Sequence, residues 1–422
     1  MPLNYLLLAA LLVFLFVDYK KAVIVLAVFS ININFFSLTI IGTVYKFLVL
    51  VAIAIFLNGK DRQKLLSHPL LLCAILPLIS VYLSMPQFHI RHILVVIAQY
   101  VFPLVLYYSI RNKNDISFYI KCLKYLVVCA VVYAFFEEFT RFNPIMQWCS
   151  QHQDQFGWMA TQVNDASFVR YGVRRVMSFF SGVGAFGAFC IYYWFVLVYM
   201  KNQKDKLVGS VLNVMMVALP ICALLTGARS TFIALLIEIM AFVSMKTIRN
   251  NKILVFSIIV VAILLFPFIT QIIDSIFESD SISGSNLEER NGQWEVAFYY
   301  MGQNFWLGNG VGFCSSLLEA DEAGLYGAEG MWLPIMMDRG MFGVISVAMC
   351  YVITFIYLYR RKFYAGIWLM LSFLVLKTIT TVVGVEPTFF LLIIVFLIRY
   401  NEINDIRNYG KNNIRNNTCL QG

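Results

Sequence analysis

Residues 177–200, MSFFSGVGAFGAFCIYYWFVLVYM, run through the middle of the chain without one Asp, Glu, Lys or Arg. A spanning helix needs about 20 mainly apolar residues, and this stretch supplies them. It lacks the two-residue alternation that a barrel strand requires. The same pattern recurs at Leu70–Leu83, Ile93–Ile110, Tyr119–Phe136, Leu207–Leu225, Ser230–Met245, Ile253–Ile273, Met331–Tyr359 and Tyr364–Val383. Leu3–Val17, Ala22–Ile41 and Thr43–Leu57 crowd the N-terminal region, and Thr388–Ile398 is short. By this criterion the chain holds about 12 or 13 spans. The expected fold is all-α, a polytopic integral membrane protein with two large external loops. Composition agrees, since 60% apolar and 13% charged residues exclude a soluble globular protein.

Leu3–Val17 has no basic residue before it and no small-residue cleavage site after it, so it reads as a retained helix rather than a signal peptide. The 9 Cys are scattered, mostly inside apolar runs, and read as small apolar residues. Only Cys149 and Cys314 fall in the large loops, where a disulfide between them is one possibility. With 4 His and no CxxC pair, a structural zinc site is not expected. No metal or other cofactor is implied, because the acidic loop lacks calcium-loop spacing.

The net charge of +9 is distributed for a membrane, not for nucleic acid. Basic residues gather in short turns: Lys20-Lys21, Lys60/Arg62/Lys64, Arg111/Lys113, Lys201/Lys204/Lys206, Lys246/Arg249/Lys252 and Arg360-Arg361-Lys362. These alternate with turns almost free of Lys and Arg, which places the basic turns and the C-terminus in the cytoplasm. The chain divides accordingly into N-terminal helices (1–139), a first external loop (140–176), central helices around an Arg229 hinge (177–273), a second external loop (274–330), C-terminal helices (331–400) and a cytoplasmic tail (401–422).

The two loops differ. The first is weakly basic, with Arg141, Arg170, Arg174 and Arg175, and ends in VRYGVRRVMSFF. The second is acidic, with Arg290 as its one base. In it Asn286 is placed to cap a helix beginning LEERNGQWEVAFYYMGQ, with Glu288 and Glu289 in the first turn. Arg290, Trp294, Ala297 and Met301 fall on one face of that helix. WLGNGVGF (306–313) follows. No strand precedes these glycines and no Lys-Ser/Thr pair follows, so a Walker-type loop is rejected in favour of a plain turn leading back to the bilayer.

Three segments then line up in order. LLTGARSTFIALL (224–236) puts one Arg at an external hinge between two spans. ERNGQWEVAFYYMGQNFWLGNGVGF (289–313) puts an Arg one turn before a Trp. EGMWLPIMMDRGMFGVI (329–345) re-enters the membrane. Together with VRRVMSFFSGVGAFGAF (173–189), they resemble the superfamily of O-antigen ligases and Wzy-type O-antigen (surface polysaccharide) polymerases. The resemblance implies a membrane glycosyltransferase acting on the external face of the bacterial inner membrane. Donor and acceptor would be undecaprenyl-pyrophosphate-linked glycans in a membrane of lipids, and a chain-length regulator is a further partner such polymerases imply. Arg229 matches the family's hinge Arg, and Arg290 the Arg of its second external loop. Ligases carry His-Asn-x-x-Leu before the re-entering span. Aligned on Leu333, this chain has Glu329 and Gly330 there, which favours a polymerase or a member with Glu as the base.

Arg suits the leaving pyrophosphate, because its planar fork binds phosphate oxygens and stays charged. A carboxylate in a partly desolvated cleft suits removal of the acceptor's hydroxyl proton. Arg229, Arg290 and Glu329 are therefore the catalytic candidates, and Arg170, Arg174, Arg175, Trp294 and Arg339 the substrate-binding ones. Of Arg174 and Arg175, one is expected to anchor to lipid headgroups and the other to hold the acceptor's pyrophosphate. Arg229 between two apolar runs is costly unless used, since a charge there carries a penalty of a few kcal/mol; its bland alternatives are an ordinary turn Arg reaching the headgroups, or a partner in Glu238. For Arg290 the alternative is a solvated charge beside Glu288 and Glu289. A ligase transferring glycan to lipid A core or protein is the second reading. A flippase or secondary transporter is the third, weighed down by few embedded acids and no visible internal repeat.

Overall fold

The computed structural model describes residues 2–30, 40–85, 90–150, 169–170, 173–180, 182–203, 209–244, 287–319, 325, 330–379 and 390–404. Its helices are α1 (Pro2–Val17), α2 (Tyr19–Ser30), α3 (Ile40–Leu57), α4 (Arg62–Leu66), α5 (Leu72–Leu83), α6 (Ile90–Ser109), α7 (Lys113–Thr140), α8 (Pro144–Ser150), α9 (Val183–Asn202), α10 (Ser210–Leu225), α11 (Arg229–Ser244), α12 (Leu287–Gln303), α13 (Phe313–Glu319), α14 (Trp332–Arg360) and α15 (Tyr364–Ile379). A last helix, α16, covers 390–404. The fold is all-α, as expected. One small antiparallel hairpin, β1 (Val169–Arg170) with β2 (Val173–Arg174), pairs Val169 with Arg174 and Arg170 with Val173.

Four described helices, α6, α7, α9 and α14, are long and apolar enough to cross a membrane, and several shorter apolar helices accompany them. The chain is thus a multi-pass membrane protein. The expected span Ile253–Ile273 lies outside the described residues.

The opening stretch forms the centre of the bundle. A helix apolar on every side belongs in an interior, and 83% of the α9 span is buried against 44% for each of the other three. Phe189, Tyr192, Tyr193, Trp194 and Phe195 are fully enclosed. Between membrane helices close approach depends on small residues, and Gly187 provides it. A Cβ there would come within 2.3 Å of Thr231 Oγ1 on α11.

Helix ends follow local chemistry. Asn112 and Asp115 cap each other's backbone N–H at 3.0 and 3.1 Å, which starts α7 at Lys113, before the expected Tyr119. At its far end, α16 continues beyond Tyr400 into the segment expected to be tail. The cause is a knot around Glu402, whose carboxylate accepts from Tyr107 (2.8 Å), Arg399 (2.9 Å) and Arg361. Arg399 also donates to Ile110 O, and Arg361 lies over the Tyr357 ring. Tyr357 meets His68 Nε2 at 3.2 Å. Asp61 joins Lys64 to Arg111, across the bundle end from a distant part of the chain. The basic turns 60–68, 110–113 and 360–362 therefore share one end of the bundle, as their alternation requires.

This knot makes stability depend on pH. Burial pushes the His68 imidazole down to about 4 from 6.5. Burial acts to raise the Glu402 carboxyl, but hydrogen bonds from Tyr107, Arg399 and Arg361 outweigh it and hold the group below its usual value. Both folded values are depressed, so both contributions are full at neutral pH and are lost on acidification. The thermal midpoint in detergent should fall between pH 6.5 and about 4 through His68, and further below as Glu402 protonates. His68→Gln should flatten the upper limb. Glu402→Ala should cost about 1–3 kcal/mol at pH 7.

Candidate functional site

The site is built at the end opposite the basic turns. α10 ends at Leu225, and Gly227 takes the left-handed conformation (φ 61) that terminates helices and favours glycine. Thr226 Oγ1 accepts from Ala228 N at 3.3 Å, and α11 then begins at Arg229. The last carbonyls of a helix need partners. Here Val176 N donates to Leu225 O at 3.0 Å and Arg175 Nε to Thr226 O at 3.1 Å. The end of the first loop is thus zipped to the hinge. Behind it, Glu137 Oε2 accepts from Met177 N and Ser178 N at 3.2 and 2.8 Å.

Arg229 starts α11 with its Nε buried and no hydrogen-bond partner among the described residues. Glu238 is not that partner. It lies nine residues on, about 13 Å along the axis, fully buried and bonded to Ser372 Oγ of α15 at 3.2 Å. This contact sets α11 beside α15. Ile379 stands seven residues beyond Ser372, about 10 Å along α15, so Arg229 and the end of α15 reach the same level. Arg290 arrives there from α12, with Nη2 donating to Ile379 O at 3.4 Å. The structure therefore brings Arg229 and Arg290 to one end of α15.

Gly330 joins them. Its φ is 106, and a Cβ would come within 2.6 Å of Thr378 O. Met331 N donates to Lys377 O at 2.9 Å, and Trp332 Nε1 to Thr378 Oγ1 at 3.1 Å. Glu329, the candidate base, lies outside the described residues. Arg170 and Arg174 are opposite Val173 and Val169 in the hairpin. Trp294 packs at the edge of a small second core of Ala297, Cys314, Leu325, Leu333 and Met337. Cys314 is a free thiol, so the disulfide with Cys149 is not formed. Burial pushes that thiol up to about 12, which removes it as a nucleophile.

The Gly-rich stretch is more than the plain turn expected. α14 is broken at Gly340 (φ 59, ψ −157), and residues 305–312 fit into the break. Asn309 N and Gly310 N donate to Met337 O and Asp338 O, at 2.9 and 3.0 Å. Met341 N and Phe342 N donate back to Phe305 O and Trp306 O, at 2.8 and 3.1 Å. The Asp338 carboxylate accepts from Gly312 N (3.0 Å) and Cys314 N (2.8 Å), capping α13 from another helix. A Cβ on Gly308 would stand 2.5 Å from Arg339 N. Arg339 is half-buried beside this joint. The available signal was a pair, the glycines of 308–312 and Asp338-Arg339-Gly340 inside an apolar run, and only together do they mark a joint.

Residues 214–348, which contain the hinge, α12, the Gly-rich stretch and the joint, match the family model described as O-Antigen ligase. No curated protein matches the chain. The match supports placing the chain in the O-antigen ligase and polymerase superfamily.

Gly340→Ala should break the joint. The substitution costs about 1–3 kcal/mol in backbone strain alone, before the clash with Phe305 O at 2.6 Å. Limited proteolysis in detergent should then cut rapidly between 287 and 330 while the bundle stays intact. Equal protease resistance of variant and wild type would contradict the joint.

Proposed function

We propose that this chain, a membrane protein with an O-antigen ligase-type domain across residues 214–348, polymerises polyprenyl-pyrophosphate-linked oligosaccharide repeat units on the external face of the inner membrane. The observation that carries the reading is the placement of Arg229 and Arg290. A buried cationic donor without a partner is costly, and a pyrophosphate would satisfy it with a second arginine converging on the same end of α15. The N-terminus of α11 adds a favourable dipole for the same anion.

In this reading a sugar hydroxyl of the acceptor attacks the anomeric carbon of the donor. The new glycosidic C–O bond forms as the bond from that carbon to the pyrophosphate oxygen breaks. The hydroxyl proton passes to the Glu329 carboxylate. The polyprenyl pyrophosphate leaves with its charge held by Arg229 and Arg290. Arg175 is bonded to Thr226 O, and Arg174, with Arg170, is assigned to the second glycan's pyrophosphate. Arg339 supplies a further cation at the joint, and Trp294 serves packing more than sugar stacking. Polymerase is preferred to ligase because Glu329-Gly330 stand where ligases have His-Asn.

Complementation of a deletion strain tests this. Arg229→Ala and Arg290→Ala should each lower polymer formation about 100-fold or more, the usual loss for one transition-state charge contact. Arg229→Lys should recover only part, since it keeps the charge without the fork. The deletion should leave single-repeat glycan on its acceptor. Polymer retained on the lipid carrier but absent from the acceptor would identify a ligase. Polymer and attachment both intact would overturn glycosyl transfer and bring transport forward.

A further inference from the structure

We propose that α12 and the turn after it rest on the membrane surface, with Phe298, Tyr299, Phe305, Trp306 and Leu307 seated in the lipid interface at the end of the bundle away from the basic turns.

The height of the membrane can be read on α14. Its 29 residues are two helices that meet at Gly340, and a hydrocarbon core is about 30 Å thick. From Arg360, in a basic turn, about 30 Å of helix ends at Gly340. The side-chain pattern gives the same boundary independently. Below Gly340, Ile345, Met349, Val352, Phe355, Ile356 and Tyr359 form an exposed apolar stripe at helical spacing. On the other side of the break, Leu333, Ile335, Met336 and Met337 are all buried in protein. The lipid-facing part of α14 therefore stops at the break, and Gly340 marks the interface.

Backbone bonds from Met341 and Phe342 to Phe305 and Trp306 fix the turn after α12 at that height. At the other end of α12, Arg290 reaches the carbonyl of Ile379 at the end of α15. The helix thus lies across that end of the bundle, and its exposed residues change along its length. Asn291 and Glu295 are exposed toward the Arg290 end. Tyr299 is 67% and Trp306 61% exposed toward the Gly340 joint, beside Phe298, Phe305 and Leu307. Aromatic rings with one polar edge are the side chains suited to the headgroup layer. The depth of the turn favours lipid over a sugar ring as the occupant, because a sugar-stacking face would stand in water.

The test uses the full-length protein in bilayers. The fluorescence component lost on Trp306→Tyr is compared with and without brominated phospholipid and with aqueous iodide. It should be quenched by more than half by the brominated lipid and little by iodide. Leu307→Trp, made separately, should add emission with the same behaviour, so the result does not hang on one variant. Emission from both positions that is quenched by iodide and untouched by brominated lipid would overturn the proposal and leave a water-exposed, glycan-facing surface. Neither readout requires activity, so failure here is distinct from failure of the polymerase reading.

Discussion

The backbone-to-backbone approach of residues 305–310 to the break at Gly340 holds the functional end of this protein together. A spanning helix cannot be interrupted at membrane depth unless its freed N–H and C=O groups find partners within the protein. Here the partners come from a segment some thirty positions earlier. Met337 O and Asp338 O accept from it, and Met341 N and Phe342 N donate to it. Glycine at 308 and 340 is required because no side chain fits between the two backbones. Asp338 closes the joint from the side through Gly312 and Cys314.

The joint turns a polar segment into a fixed platform. α12 packs along α14 over a small core of its own, which directs Arg290 to the end of α15. The hinge is held from the other side by Arg175 and Val176. Arg229 and Arg290 thus reach the same end of α15 from two parts of the chain, while Glu238 is kept below with Ser372. A buried cationic donor is unfavourable until an anion meets it. At the opposite end the same problem is solved internally, where Glu402 neutralises Arg361 and Arg399.

Much of this was legible in the sequence because it is local. Apolar runs give the helices, basic turns give the shared end, and the spacing of Arg290, Trp294, Ala297 and Met301 gives the face of α12 that meets the bundle, with Ala297 and Met301 buried. Pairings across the chain were not legible. WLGNGVGF reads as a turn because nothing near it announces the break in α14. Arg174 and Arg175 are equivalent as letters, and the bond from Arg175 to the carbonyl of Thr226 is not visible in them. The length of α16 depends on Tyr107 and Arg361, far away in sequence. The depth of α9 depends on which helices surround it, and apolar residues look the same facing lipid or protein. The roles given to Arg229, Arg290 and Glu329 came from the family resemblance more than from composition.

The central claim is that Arg229 and Arg290 grip one pyrophosphate. Binding of polyprenyl pyrophosphate to the purified protein in lipid nanodiscs, measured for wild type, each Arg→Ala variant and the double variant, tests it most directly. Each single variant should bind more weakly, and the double variant should lose clearly less than the sum of the two, as residues sharing one ligand do. Strictly additive losses, or affinity unchanged by either substitution, would contradict the account.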